Sequence, residues 1–158
     1  MSGVEAFLKY AEKNGWILEK NGSGKYHLPE IYHKKIGDFE KIISEYKCIR
    51  NKDNTTFFVL GETLCDETET SQGFSWDTFK KISLGACDGE NEVNEVKQWW
   101  DSHFPVVMSV ACGYEFYSLN TLNGSVEWSC EPMFEEAVKA ADSLDDFFEK
   151  IANGTIEF

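Results

Sequence analysis

The sequence predicts an α+β fold: a mostly antiparallel sheet with a C-terminal meander, flanked by helices. Three observations predict it. Apolar residues recur at helical spacing near both ends of the chain and again before Asp101. After Asp101 the period changes, and "FPVVMSVAC", "YEFYSLN" and "SVEWSC" follow one another as three strands. Asn123-Gly124, between the last two, is a hairpin signal.

Taken in order, Ser2 and Glu5 form a capping box ahead of Val4, Phe7, Leu8 and Ala11, and Asn14-Gly15 closes that helix. "WILEK" is a short strand and "NGSG" its turn. "NGSGK" lacks the G-x-x-x-x-G-K-[ST] spacing that cradles a phosphate. Pro29 suits a first helical position. Asp38 is placed to cap a second helix with Phe39, Ile42, Ile43 and Tyr46 on one face. "TTFFVL" is a buried strand, being β-branched and aromatic. "GETLCDETETSQG" is an acidic loop. A short helix or turn is expected around Trp76 to Ile82, and a longer helix from about Glu92 to Asp101. The last helix is capped by Ser143 with Asp146, carries Leu144, Phe147, Phe148 and Ile151, and ends at Asn153-Gly154.

With 158 residues, one domain spanning 1–158 is expected, large enough to fold without a disulfide or metal. The five cysteines, Cys48, Cys65, Cys87, Cys112 and Cys130, form no C-x-x-C pair, and they are read as reduced, mostly apolar fillers. No run of about 18 apolar residues exists, and the start lacks a basic end followed by an apolar stretch. A cytoplasmic location with no membrane contact is therefore expected.

Charge is the strongest functional clue. The net charge is −13, and it is uneven. Residues 1–60 hold ten Lys/Arg against eight Asp/Glu, whereas residues 61–158 hold five against twenty. Nucleic-acid binding starts with an electrostatic penalty, and a basic protein partner is favoured. Acidic clusters recur at Asp66, Glu67 and Glu69, at Asp88, Glu90 and Glu92, at Glu131, Glu135 and Glu136, and at Asp145-Asp146. None has the spacing of a calcium loop, and a solvated face explains each on its own.

His27, His33 and His103 match no metal or catalytic spacing. His103 is placed to cap a helix C-terminus. A Cys112–His103 nucleophilic pair is conceivable, but Cys112, beside Gly113 at a strand bend, reads as a buried, inert thiol. No catalytic residue, cofactor or metal is expected. In the hairpin, Tyr114, Phe116 and Ser118 share one face and Glu115, Tyr117 and Leu119 the other, so the strand is expected to be central. Glu115, Tyr117 and Glu127 are what remains there for a partner.

"LPEIY", "DFEKIISEYKCIRN", "TTFFVL", "FSWDTFKKISLGAC", "VKQWWDSHFPVVMSVACGYEFYSLN" and "EPMFEEAVKAADSLDDFFEKIANGTIEF" together resemble a bacterial branch of the SUKH superfamily, the Smi/Knr-like domain. The likeness covers nearly the whole chain and is densest from about Phe74 to Phe158. Its most specific pieces are Trp99–Pro105, Gly113-Tyr114, Glu131-Pro132 and Ser143–Ile151. The resemblance implies a single α+β domain with no catalytic residues. It also implies, for many bacterial members, an immunity protein that binds and blocks a polymorphic toxin, often a nuclease or deaminase. Fungal members are implied to be interaction hubs. Some family sequences carry an acid where this chain has Asn120.

Charge and resemblance meet in one expectation. The chain is a non-catalytic immunity protein whose acidic surface meets a basic, nuclease-like toxin domain. The partner-binding residues are Asp66, Glu67, Glu69, Glu115, Tyr117, Glu127, Glu131, Glu135 and Glu136. The alternative is a general interaction or regulatory module with no toxin partner, and a small enzyme is a distant third.

Overall fold

A computed structural model describes residues 1–23, 25–64 and 74–158. In chain order the elements are α1 (Gly3–Lys13), β1 (Ile17–Lys20), a 3-10 turn (Glu30–Tyr32), α2 (Phe39–Glu45), β2 (Tyr46–Arg50) and β3 (Thr56–Phe58). Then follow α3 (Thr78–Gly85), α4 (Glu90–Asp101), β4 (His103–Ser109), β5 (Glu115–Asn120), β6 (Val126–Cys130), β7 (Val138–Ala141) and α5 (Leu144–Ala152). The seven strands form one sheet in the order β1 to β7, every neighbouring pair antiparallel. The predicted α+β class holds, and helices cover the sheet on both sides.

The caps explain where the two outermost helices start. Ser2 Oγ accepts from the Glu5 amide at 3.2 Å, and Glu5 Oε2 accepts from the Ser2 amide at 3.1 Å. At α5, Ser143 Oγ accepts from the Asp146 amide at 3.1 Å. The Asp146 carboxylate accepts from the Asp142 amide and pairs with Lys150, and these bonds hold its carboxyl below the usual range. Asp38 precedes α2 as expected but does not cap it; its carboxylate accepts from Lys41 instead.

Two strands lie where no strand was expected. Tyr46 does not continue the apolar face of α2: its backbone is already extended, and it opens β2. Helix passes into strand with no turn residue between, so the helical apolar spacing runs on into Tyr46. The second is β7, "VKAA", whose alanines carry little strand preference and whose place comes from pairing with β6. The 3-10 turn starts one residue after Pro29, and α3 and α4 begin within two residues of the expected starts.

The aromatic side chains show which helices cover which face. Phe58 meets Phe7 of α1 and Phe148 of α5, and its ladder neighbour Val107 lies opposite Tyr117, which meets Phe147 and Phe158. Phe104, opposite Leu119, meets Phe39 of α2. Helices α1, α2 and α5 thus share one face. On the other, Phe116 stacks on Trp100 of α4 and touches Phe79 of α3, and Phe57 touches Phe74. The hairpin strand β5 is central, as its alternating aromatics required. Each fully buried Phe or Trp contributes about 1.5–3 kcal/mol or more of burial free energy, so these two aromatic layers dominate stability.

Gly3 marks the tightest helix contact. A Cβ there would lie 2.0 Å from the Asp145 carbonyl oxygen, and the Gly3 amide donates to Asp145 Oδ1 at 2.7 Å. In an exposed helix Gly→Ala stabilises by about 1 kcal/mol. Here Gly3→Ala is expected to destabilise by about 1–3 kcal/mol, because backbone must move to admit the methyl. Urea unfolding midpoints compared with the native chain measure it.

Candidate functional site

Residues 131–137 connect β6 to β7. Their buried anchor is an aromatic side chain. Phe134 is fully buried against the α3/α4 face, stacked on Phe79 at 5.0 Å and edge-on to Phe116 at 5.7 Å. The peptide bond between Glu131 and Pro132 is cis. With Phe134 inward, the neighbouring acids face outward. Glu131 and Glu136 are exposed, and Glu135 is half-buried, accepting from Trp100 Nε1 at 3.3 Å. Glu131 Oε1 accepts from the Tyr114 amide at 3.2 Å, so it also closes the open end of the hairpin. Gly113 there has φ +103°, a left-handed backbone that glycine adopts freely.

This segment meets the connection between α3 and α4. Burial pushes the Cys87 thiol up, and the carboxylates of Glu92, Glu135 and Asp88 push it further. Those three acids come from two stretches more than 40 residues apart in sequence, gathered around one half-buried thiol. Glu92 Oε2 also accepts from the Asp88 amide at 2.8 Å, which fixes the first turn of α4. Glu90 and Glu95 are exposed on the same helix. The result is an acidic rim in which Glu135 lies with Asp88 and Glu92, and Glu131 and Glu136 are exposed on the same segment as Glu135. Each exposed carboxylate is worth little alone, but a set of one sign generates a field that reaches a partner before contact.

Of the expected partner residues, Glu131, Glu135 and Glu136 belong to this rim. Asp66, Glu67 and Glu69 lie outside the described residues. Glu115, Tyr117 and Glu127 do not share one face of the sheet. The register pairs Tyr117 with Trp128 and Ser118 with Glu127, so Glu127 lies on the α3/α4 face and the other two on the α1/α5 face. Glu115 Oε2 accepts from Trp128 Nε1 at 3.2 Å. Tyr117 is packed between Phe147 and Phe158, and Glu127 is engaged with His103 at 2.9 Å. Sequence reasoning had set Asp88, Glu90 and Glu92 aside as a solvated turn. The signal that could have joined them to the rim is Phe134, a lone aromatic in an acidic run.

His103 caps the last turn of α4, as expected: its Nδ1 donates to the Trp99 carbonyl at 2.7 Å. It does not pair with Cys112. His103 opens β4 and Cys112 follows its other end, roughly 20 Å away at about 3.3 Å per strand residue. Cys112 is also exposed rather than buried, because it lies in the β4–β5 connection beyond the cover of either helix layer. Ser102 Oγ lies 3.0 Å from His103 Nδ1, yet it forms no serine–histidine–glutamate relay. That nitrogen already gives its proton to Trp99, and Ser102 Oγ is itself 3.0 Å from the same carbonyl. Cys48 is buried beside Arg50, and burial with Glu62 pushes its thiol up to about 12. His27 and His33 line an open cleft of about 580 Å³ with Tyr26, Glu30, Lys34 and Glu40. Among the described residues, no group of three or more His, Cys, Asp or Glu side chains is arranged to hold a metal ion. Among the same residues, no helix is long and apolar enough to cross a membrane.

The chain matches no family model, no curated protein and no solved structure. The rim is therefore interpreted from its own chemistry.

The Tyr117 phenol is pushed up to about 12, by burial first and by Glu115 second. In the unfolded chain a tyrosine titrates near 10. Below that value both states keep the proton. Between about 10 and 12 the unfolded chain ionises first, so stability falls as pH rises through this window. Tyr117→Phe is expected to flatten part of that alkaline decline. Urea midpoints from pH 9 to about 12 measure it, and parallel curves for the two proteins would place the phenol in water.

Proposed function

We propose that this chain is a non-catalytic protein-binding domain of the cytoplasm, an immunity protein that neutralises a basic, nuclease-like toxin domain through its acidic rim. The observation that carries this reading is the gathering of Glu135 with Asp88 and Glu92 around Cys87, with Glu131 and Glu136 exposed on the segment that carries Glu135. A groove built to hold a phosphate backbone is lined with lysine and arginine. A surface of clustered carboxylates is complementary to such a groove, is steered to it, and occludes it. The SUKH-like sequence features support the same function. The packing beneath the rim supports it too: Phe134, Phe79 and Phe116 hold the 131–136 segment against the sheet, so its acids arrive already ordered.

The same rim would suit any basic protein, so the alternative is a general interaction module without a toxin. The neighbouring reading frame separates the two. A large secreted protein with a small C-terminal nuclease-like domain supports the immunity reading, and a different captured basic protein supports the module.

Asp88, Glu90, Glu95 and Glu136 are exposed and stand outside the hydrogen bonds made by the Glu92, Glu131 and Glu135 carboxylates, so their joint reversal to lysine is compatible with the fold. The quadruple variant is expected to associate with the toxin domain about tenfold or more slowly at low salt, with a weaker salt dependence. Stopped-flow association across an ionic-strength series measures both. Unchanged rates in a folded variant would remove the rim from the interface.

A further inference from the structure

His103 sits where α4 hands over to β4, and its side chain is 8% exposed. Its ring lies parallel to the Trp99 indole, with centroids 3.9 Å apart and planes 5° from parallel. Nδ1 is 2.7 Å from the Trp99 carbonyl oxygen, and Nε2 is 2.9 Å from Glu127 Oε2. A carbonyl oxygen and an ionised carboxylate can only accept. A neutral imidazole has one N–H and would turn a lone pair toward one of these oxygens. The doubly protonated ring satisfies both, and its charge faces a carboxylate and an indole surface.

We propose that His103 is a proton-operated clamp: as imidazolium it ties the last turn of α4 to β6, and loss of its proton opens the tie. The groups around it leave Glu127 as its charged partner. Lys139, opposite Glu127 in the ladder from β7, is engaged by Asp142. Asp101, from the end of α4, is exposed to water. The Tyr32 hydroxyl donates to the Trp100 and His103 carbonyls, and burial keeps it protonated well beyond neutral pH. Ser102 has its hydroxyl on the Trp99 carbonyl, and Thr121 donates to the Ser102 carbonyl from the β5–β6 loop. When the ring loses a proton, either Glu127 or the Trp99 carbonyl is left facing a lone pair in a largely buried site. The tie is therefore closed while the ring holds both protons and opens when one is lost.

Glu127→Gln isolates the proton. Its amide can donate to Nε2 of a neutral ring while Nδ1–H still serves Trp99, so the clamp stays closed without a charge. The experiment compares the native chain with Glu127→Gln between about pH 5.5 and 8.5, the span of histidine titration. It reads amide hydrogen exchange at residues 99–103, corrected for intrinsic rates, and the ¹⁵N shifts of the His103 ring. The native chain is expected to show about a tenfold or greater loss of protection across the range, and the variant little change. Ring shifts of an imidazolium at the acid end complete the expected result. A neutral ring at the acid end, or the same pH dependence in both proteins, overturns the clamp. Should the variant not fold, the native ring shifts alone decide.

Discussion

All seven residues of β4, from His103 to Ser109, are buried. A strand buried on both sides cannot belong to a sheet with one wet face, so the chain must supply two helical layers. That requirement organises the rest. It sends α1, α2 and α5 to one face and α3 and α4 to the other, and it demands large side chains of both parities along β4 and β5. It also bears on Pro105, which lacks an N–H and would interrupt a regular central ladder. The register shifts between Pro105 and Val107, so the proline sits at a bulge, where the missing donor is tolerated.

The same partition sorts charge. On the α1/α5 face, acids near the helices are largely engaged: Asp145 accepts from the Gly3 amide, and Asp146 pairs with Lys150. On the α3/α4 face, the segment that carries Glu131 and Glu136 spends its one aromatic side chain on the core; Glu131 and Glu136 stay exposed, and Glu135 is held by Trp100. An uneven sequence charge thereby becomes an uneven surface. The aromatic layer beneath gives that surface a fixed shape, which a flexible acidic tail would lack.

Much of this was legible in the sequence. Ser2 with Glu5 and Ser143 with Asp146 mark their helices through local hydrogen bonds, which need no tertiary information. The three strands after Asp101 and the turn at Asn123-Gly124 are equally local. What escaped depends on partners distant in sequence. Strand β7 exists because β6 pairs with it, and β2 is hidden by apolar spacing that suits a helix as well as a strand. Alternation showed that neighbours in a strand point to opposite faces. It could not show that Glu127 lies opposite Ser118 rather than Tyr117, because register is set between strands. Cys112 was misplaced for a related reason: an apolar run suggested burial, but the strand ends three residues earlier.

The strictly sequential order of the sheet has a consequence in chain entropy. Each strand pairs with its neighbour in sequence, so apart from β3 and β4, which α3 and α4 separate, the sheet is assembled from comparatively short closures, each modest in cost. A far longer closure is the meeting of α1 with α5, where Gly3 bonds Asp145 across 142 positions. Loop entropy rises only logarithmically with length, so a sheet already in place makes this last closure shorter in effect than its sequence separation implies. The strands act as a ruler that brings the two distant helices within reach, and the bare glycine lets them touch.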